Sequence, residues 1–277
     1  MSAEAAVAPR DTSRPLPFLA AAHGVYRLAL DGMLWSRRSL LMAIFLGLPI
    51  VFALLYRGLL IAHLPARMTA FDLYAVVIAS YYVGRLLPLA ALFYATSLIA
   101  DEVEGRTLTY LLTRPLPRPA ILAGKFAAYV TTTLAMTLPS VVITFFLLAT
   151  AQGASSIGAE VPELFRDMGV VALTLVAYGG LFTLMGVLLR RPVIPGLLFL
   201  FVWELIANLP GYLPRFTLTA WLRSLLHHQP AEEGLGGLLA TQILPAGEAL
   251  AVLLGTSALF LALSFWIFAQ REYVLEQ

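Results

Sequence analysis

The densest chemistry in this 277-residue chain lies in one short stretch. It reads Asp101-Glu102-Val103-Glu104-Gly105-Arg106-Thr107-Leu108-Thr109-Tyr110-Leu111-Leu112-Thr113-Arg114-Pro115 and then Arg118-Pro119. Three carboxylates mark the polar end of an apolar run, and Gly105 can break a helix there. Leu108, Leu111 and Leu112 share one face of a new short helix, with Thr109 and Thr113 on its other sides. Pro115, Pro117 and Pro119 end it, and Pro119 fits the first turn of the next helix. A leucine face on a short helix is one way to dock into a partner's groove. The same residues also fit a solvated turn whose charges only set topology. Pairs between Glu102 or Glu104 and Arg106, Arg114 or Arg118 are exposed, and such pairs contribute roughly 0–1 kcal/mol each.

Two charges fall inside apolar runs, Arg85 and Glu204, and an ionisable residue at membrane depth is by default a functional candidate. At 1.5 Å per helical residue they lie about 22 Å and about 16 Å from the same membrane side. The difference is about an arginine's reach, so they are expected to pair or both to face a dimer interior. A pair that only orients helices fits as well. Tyr81, Tyr82, Tyr94, Tyr129 and Tyr178 put hydroxyls on apolar helices, as path lining or as packing and interface anchors. Pro88, Pro139 and Pro195 are expected to kink theirs.

Other chemistries are excluded. With no cysteine there are no disulfides, thiolate metal sites or cysteine nucleophiles. The only lysine, Lys125, stands in Ala-Gly-Lys-Phe and outside any phosphate-loop pattern. G-x-S-x-G and H-E-x-x-H are absent. His227 and His228 are adjacent and diverge on a helix, and His23 and His63 fall on opposite membrane sides. No metal site follows. A net charge of +2 gives no footprint for nucleic acid.

The elements that position these residues are membrane helices. The chain is 60% hydrophobic and 12% charged, far from a soluble domain's balance. Six apolar stretches are long enough to span: about 39–60, 73–100, 120–149, 168–189, 193–213 and 247–269. None shows the period-two alternation of a β-barrel. With the N-terminus inside, twelve basic residues fall inside and five outside, which favours both termini cytosolic. Residues 1–38 form a cytosolic tail. Its Phe18–Arg37 part mixes Leu19, Tyr26, Leu28, Leu30 and Leu34 with His23, Arg27 and Asp31. It reads as an amphipathic helix on the interface, or as a soluble tail. The first apolar run starts too late for a cleaved signal peptide. On the outer side Leu218, Trp221, Leu222 and Leu225 share a helix face, on or dipping into the outer leaflet. There is no clear internal repeat and no linker long enough to divide the chain, so residues 1–277 are read as one membrane domain.

The Asp101–Lys125 stretch resembles the permease subunits of ABC-2 type transporters. The matching residues are Glu102, Glu104, Thr107, Leu108, Leu111, Leu112, Pro115, Arg118, Ile121, Leu122, Gly124 and Lys125. One departure is visible: the family often has glycine directly before the threonine, and here Arg106 intervenes after Gly105. The resemblance implies an all-α integral membrane protein with an N-terminal interfacial helix and a short cytosolic coupling helix between spans two and three. It implies a half-transporter in a prokaryotic plasma membrane, a homodimer with a second permease copy, most often an exporter. ATP and Mg would be bound by a separate ABC ATPase, so this chain itself is not an enzyme and holds no cofactor. The segment Arg106–Arg114, with Glu102, Glu104, Gly105 and Pro115 flanking it, would seat in the ATPase. Two other classes remain: a membrane-embedded enzyme, which needs a polar cluster at one depth, and an anchor that recruits a cytosolic partner without transport.

Overall fold

The computed structural model describes residues 17–63, 68–104, 117–151, 157–207, 213–226 and 245–270. All regular elements among them are helical. Helix α1 runs Phe18–Leu34 and α2 runs Arg37–Ile61. One rod then follows in three joined pieces: α3 (Ala70–Val76), a π-helical segment (Val77–Leu86) and α4 (Leu87–Glu104). Next come α5 (Arg118–Ala149), α6 (Ile157–Leu188) and α7 (Val193–Ala207). A 3-10 turn (Leu213–Phe216) leads into α8 (Leu218–Leu225), and α9 is Ala246–Gln270.

Local chemistry sets several helix ends. The Ser36 hydroxyl caps α2 by accepting from the Ser39 amide, and Thr69 and Asp72 cap α3 reciprocally. Pro119 sits in the first turn of α5, where its missing N–H costs nothing. His63 takes φ 54°, a left-handed conformation that stops α2 just past its end.

Among the described residues, five helices are long and apolar enough to cross a membrane: Arg37–Ile61, Ala70–Ile99, Arg118–Ala149, Glu160–Leu188 and Ala246–Gln270. One stretch differs from the expected spans. The fourth helix begins at Ile157 instead of about 168, and the charges of its third turn find partners. Arg166 Nε donates to the Leu225 carbonyl, and the fully buried Asp167 lies beside the Tyr74 hydroxyl. Of the expected span 193–213, residues 193–207 form α7. Residues 208–212 lie outside the described part, and the 3-10 turn and α8 come next. Pro195 does not kink α7 either; it occupies the first turn.

The centre of the bundle is α4, α5 and α6, with Tyr82, Tyr129, Tyr178 and Phe182 fully enclosed. At the rim, only 28% of the most apolar stretch of α2 and 17% of that of α9 is buried. Those outward faces are left to lipid or to another chain. The π segment has a local cause. Pro88 has no N–H to return to the preceding turn. The Leu87 amide bonds the Tyr82 carbonyl, five residues back, which is the wide π spacing.

Candidate functional site

Two ends of the fold carry the candidate residues. At the first, α4 stops at Glu104 and the described chain resumes at Pro117. Glu102 and Glu104 lie in the last turn of α4, with their side chains outside the described part. Gly105, Arg106, Thr107, Leu108, Leu111, Leu112, Arg114 and Pro115 lie outside it altogether. So does the expected coupling helix.

What is described is how both flanks of that segment are held. Ile121 and Leu122 are fully buried. Lys125 is 8% exposed, and its Nζ donates to the Leu98 carbonyl of α4 at 2.7 Å. An ammonium beside a carbonyl in the last turns of a helix also meets the negative end of the helix dipole. Beside it, Gly124 lets α1 lie directly on α5. A Cβ at this position would collide with the Ala22 carbonyl oxygen and stand 3.0 Å from the Tyr26 amide nitrogen. A hydroxyl relay closes the cluster. Ser39 Oγ donates to the Met33 carbonyl of α1, so Tyr94 donates to Ser39 at 2.6 Å. Arg118 Nη1 reaches the Ala269 carbonyl near the end of α9 at 3.4 Å. The start of α2, the end of α4, the start of α5 and the end of α9 therefore share one face with α1.

This cluster gives the first testable expectation. Lys125→Met keeps the stem and loses the donor. A hydrogen bond from a charged group contributes about 1.5–3 kcal/mol, so the variant should melt at a clearly lower temperature in mild detergent. A variant that melts with the parent would show that the bond contributes nothing.

The second end is the membrane-buried middle. Arg85 sits on the π segment with its side chain exposed, and Glu204 sits on α7 with its side chain outside the described part. Their expected pairing is therefore not part of the geometry described here. The residue next to Arg85 is Gly84, and the Arg223 guanidinium of α8 comes within 3.2 Å of where its Cβ would be. Arg223 stood among the outside residues in the sequence, yet α8 reaches into the bundle. Its Thr219 hydroxyl bonds the Tyr178 hydroxyl at 2.7 Å. Tyr178 is ten residues from the end of α6, about 15 Å along the helix. Leu218, Leu222 and Leu225 are buried, as their shared face requires, and Trp221 Nε1 donates to the Arg215 carbonyl.

All five singled-out tyrosines bond across helices. Besides Tyr94 and Tyr178, Tyr129 donates to the Leu175 carbonyl at 2.9 Å and Tyr81 to the Phe45 carbonyl at 2.7 Å. Tyr82 donates to Ser140, because Ser140 spends its own proton on the Leu46 carbonyl. Phe45 is the fourth residue before Pro49, so its carbonyl has lost its normal helical partner. In hydrocarbon such a group must be satisfied by a neighbouring helix, and Tyr81 does this.

Sequence reading passed over Asp167 by placing it outside. Its signal was present: Glu160, Glu163 and Asp167 fall at i, i+3 and i+7, one helix face. Among the described residues no three His, Cys, Asp or Glu side chains gather as metal ligands.

Compared with known proteins, residues 53–273 match a family model described as ABC-2 family transporter protein. No curated protein matches the chain.

Proposed function

From a chain that belongs to the ABC-2 transporter family and is a multi-pass membrane permease of an ABC transporter, we propose a specific division of labour. This chain is the membrane half of an exporter, paired with a second copy of itself and driven by a separate ATPase that binds ATP and Mg. The ATPase seats on residues Arg106–Arg114, using Leu108, Leu111 and Leu112. Both termini are cytosolic in a prokaryotic plasma membrane, which agrees with the excess of basic residues on that side.

The observation that carries this reading is the clamp on both flanks of the 105–116 segment. Lys125 joins the end of α4 to α5, and Gly124 seats α1 on the same turn of α5. A push on the segment would move α4, α5 and α1 together, instead of bending one helix end. Rigid flanks suit a two-state membrane domain whose equilibrium an ATP-driven partner biases. The thinly buried outer faces of α2 and α9 leave surface for the second copy.

The test is purification of the tagged chain from its host in mild detergent, with its partners identified. A P-loop ATPase should copurify in equal amount. Leu108→Asp and Leu111→Asp should each cut its recovery roughly tenfold or more, since an ionised carboxylate in an apolar groove is strongly disfavoured. Vesicles holding both subunits should move substrate only with ATP. Full ATPase recovery with both aspartate variants would overturn the docking assignment. Recruitment of the ATPase without ATP-dependent movement would leave an anchor.

A further inference from the structure

Behind α1 lies a cleft of about 360 Å³, bounded by α1, the start of α2, the end of α4 and the start of α5. Its two sides differ in chemistry. Leu28, Ala29 and Gly32 of α1 give an apolar wall, and Arg38 and Lys125 supply two cations. Three hydroxyls, those of Ser36, Tyr94 and Ser97, complete the polar side, and no carboxylate lines it among the described residues. A site with two positive charges, a hydroxyl-lined polar side and an apolar flank recognises a phosphate that carries a hydrocarbon tail.

Its depth agrees. The spanning stretch of α3–α4 ends at Ile99, one residue past Leu98 on the cleft rim, and α2 begins at Arg37. Trp35, 93% exposed, stands at the α1–α2 corner, the headgroup level where indoles settle. Arg38 can lay its stem along apolar surface and hold its head among phosphates.

We infer that this cleft binds one anionic phospholipid, its phosphate between Arg38 and Lys125 and an acyl chain along the α1 wall. The bound lipid would pin α1 to the turn of α5 that flanks the 105–116 segment. The site is independent of the transported substrate and of the ATPase assignment.

The test uses the full chain in detergent, titrated with dioleoyl phosphatidylglycerol and read by native mass spectrometry. One tightly held lipid per chain is expected. Arg38→Gln should weaken it roughly tenfold, the loss of a charge-assisted contact. Gly32→Leu should abolish it, because Gly32 lines the cleft and a Cβ there meets nothing within 4 Å. The added side chain stands at the cleft wall and its first carbon meets no neighbour, so the lipid-free melting temperature should stay at the parent value. Dioleoyl phosphatidylcholine should bind distinctly more weakly, and inorganic phosphate should not displace the lipid. Equal retention by a normally melting Gly32→Leu, equal binding of the two lipids, or displacement by phosphate would each overturn the assignment. The last outcome would make the cleft a site for a free ion.

Discussion

Replacing Gly124 by leucine is expected to lift α1 off α5 and to lower stability more than any other glycine change in the cytosol-assigned half. The contact is backbone against backbone. Even a single methyl at this position collides with the Ala22 carbonyl oxygen and crowds the Tyr26 amide and Val25 Cβ at 3.0 Å. A carbonyl in a regular helix cannot swing aside as a side-chain tip can. Overpacking a filled contact costs about 1–3 kcal/mol, and leucine goes further than alanine. The chain has no cysteine, so a single Val25→Cys is a clean reporter. Val25 is 7% exposed. Its thiol should react slowly with maleimide in the parent and many times faster beside Gly124→Leu. Gly24→Leu on α1 is the control, since a Cβ there meets nothing within 4 Å. Equal reaction rates in all three chains would show that α1 is not held through Gly124. The clamp argument for coupling would lose its main support.

Tyr81→Phe should destabilise the protein by about 1–3 kcal/mol, the cost of leaving a lipid-facing carbonyl without its partner. The ring stays in place and keeps its edge contact with Tyr82 at 5.8 Å between centroids. Only the donor to the Phe45 carbonyl disappears. The informative variant is Pro49→Ala. It returns an N–H to α2 four residues after Phe45, so the same carbonyl regains a helical partner. In that background Tyr81→Phe should cost much less than in the parent. This non-additivity belongs to two groups that serve one acceptor. Unfolding midpoints of the four chains in one detergent measure it directly. Equal cost in both backgrounds would mean that Tyr81 is an ordinary interhelical contact, typically worth about 0.6 kcal/mol.

These residues show how far sequence reasoning reached. The apolar runs beginning near residues 39, 73, 120 and 247 end within a few residues of helices α2, α4, α5 and α9. Hydropathy needs no partner, because lipid accepts any apolar face. The motif residues Gly124 and Lys125 were visible as types in a pattern, but not as contacts: neither Ala22 nor Leu98 can be chosen from sequence. Arg85 and Glu204 stood out for their charge at depth. Arg223 and Asp167 did not, because a residue in a stretch read as external gives no sign that its helix enters the bundle.

The sequence by itself determined that this chain lives in a membrane, that its regular structure is helical, and which family it belongs to. Those properties follow from composition, from the length of apolar runs and from a local motif. Tertiary structure alone decided two others. It drew α8 into the bundle through Thr219 and Tyr178, and it buried Asp167 of α6 beside the Tyr74 hydroxyl. The physical reason is the same each time. In hydrocarbon a polar group must find its partner within the protein, and that partner sits on another helix. Its identity depends on which helices meet, and at which turn.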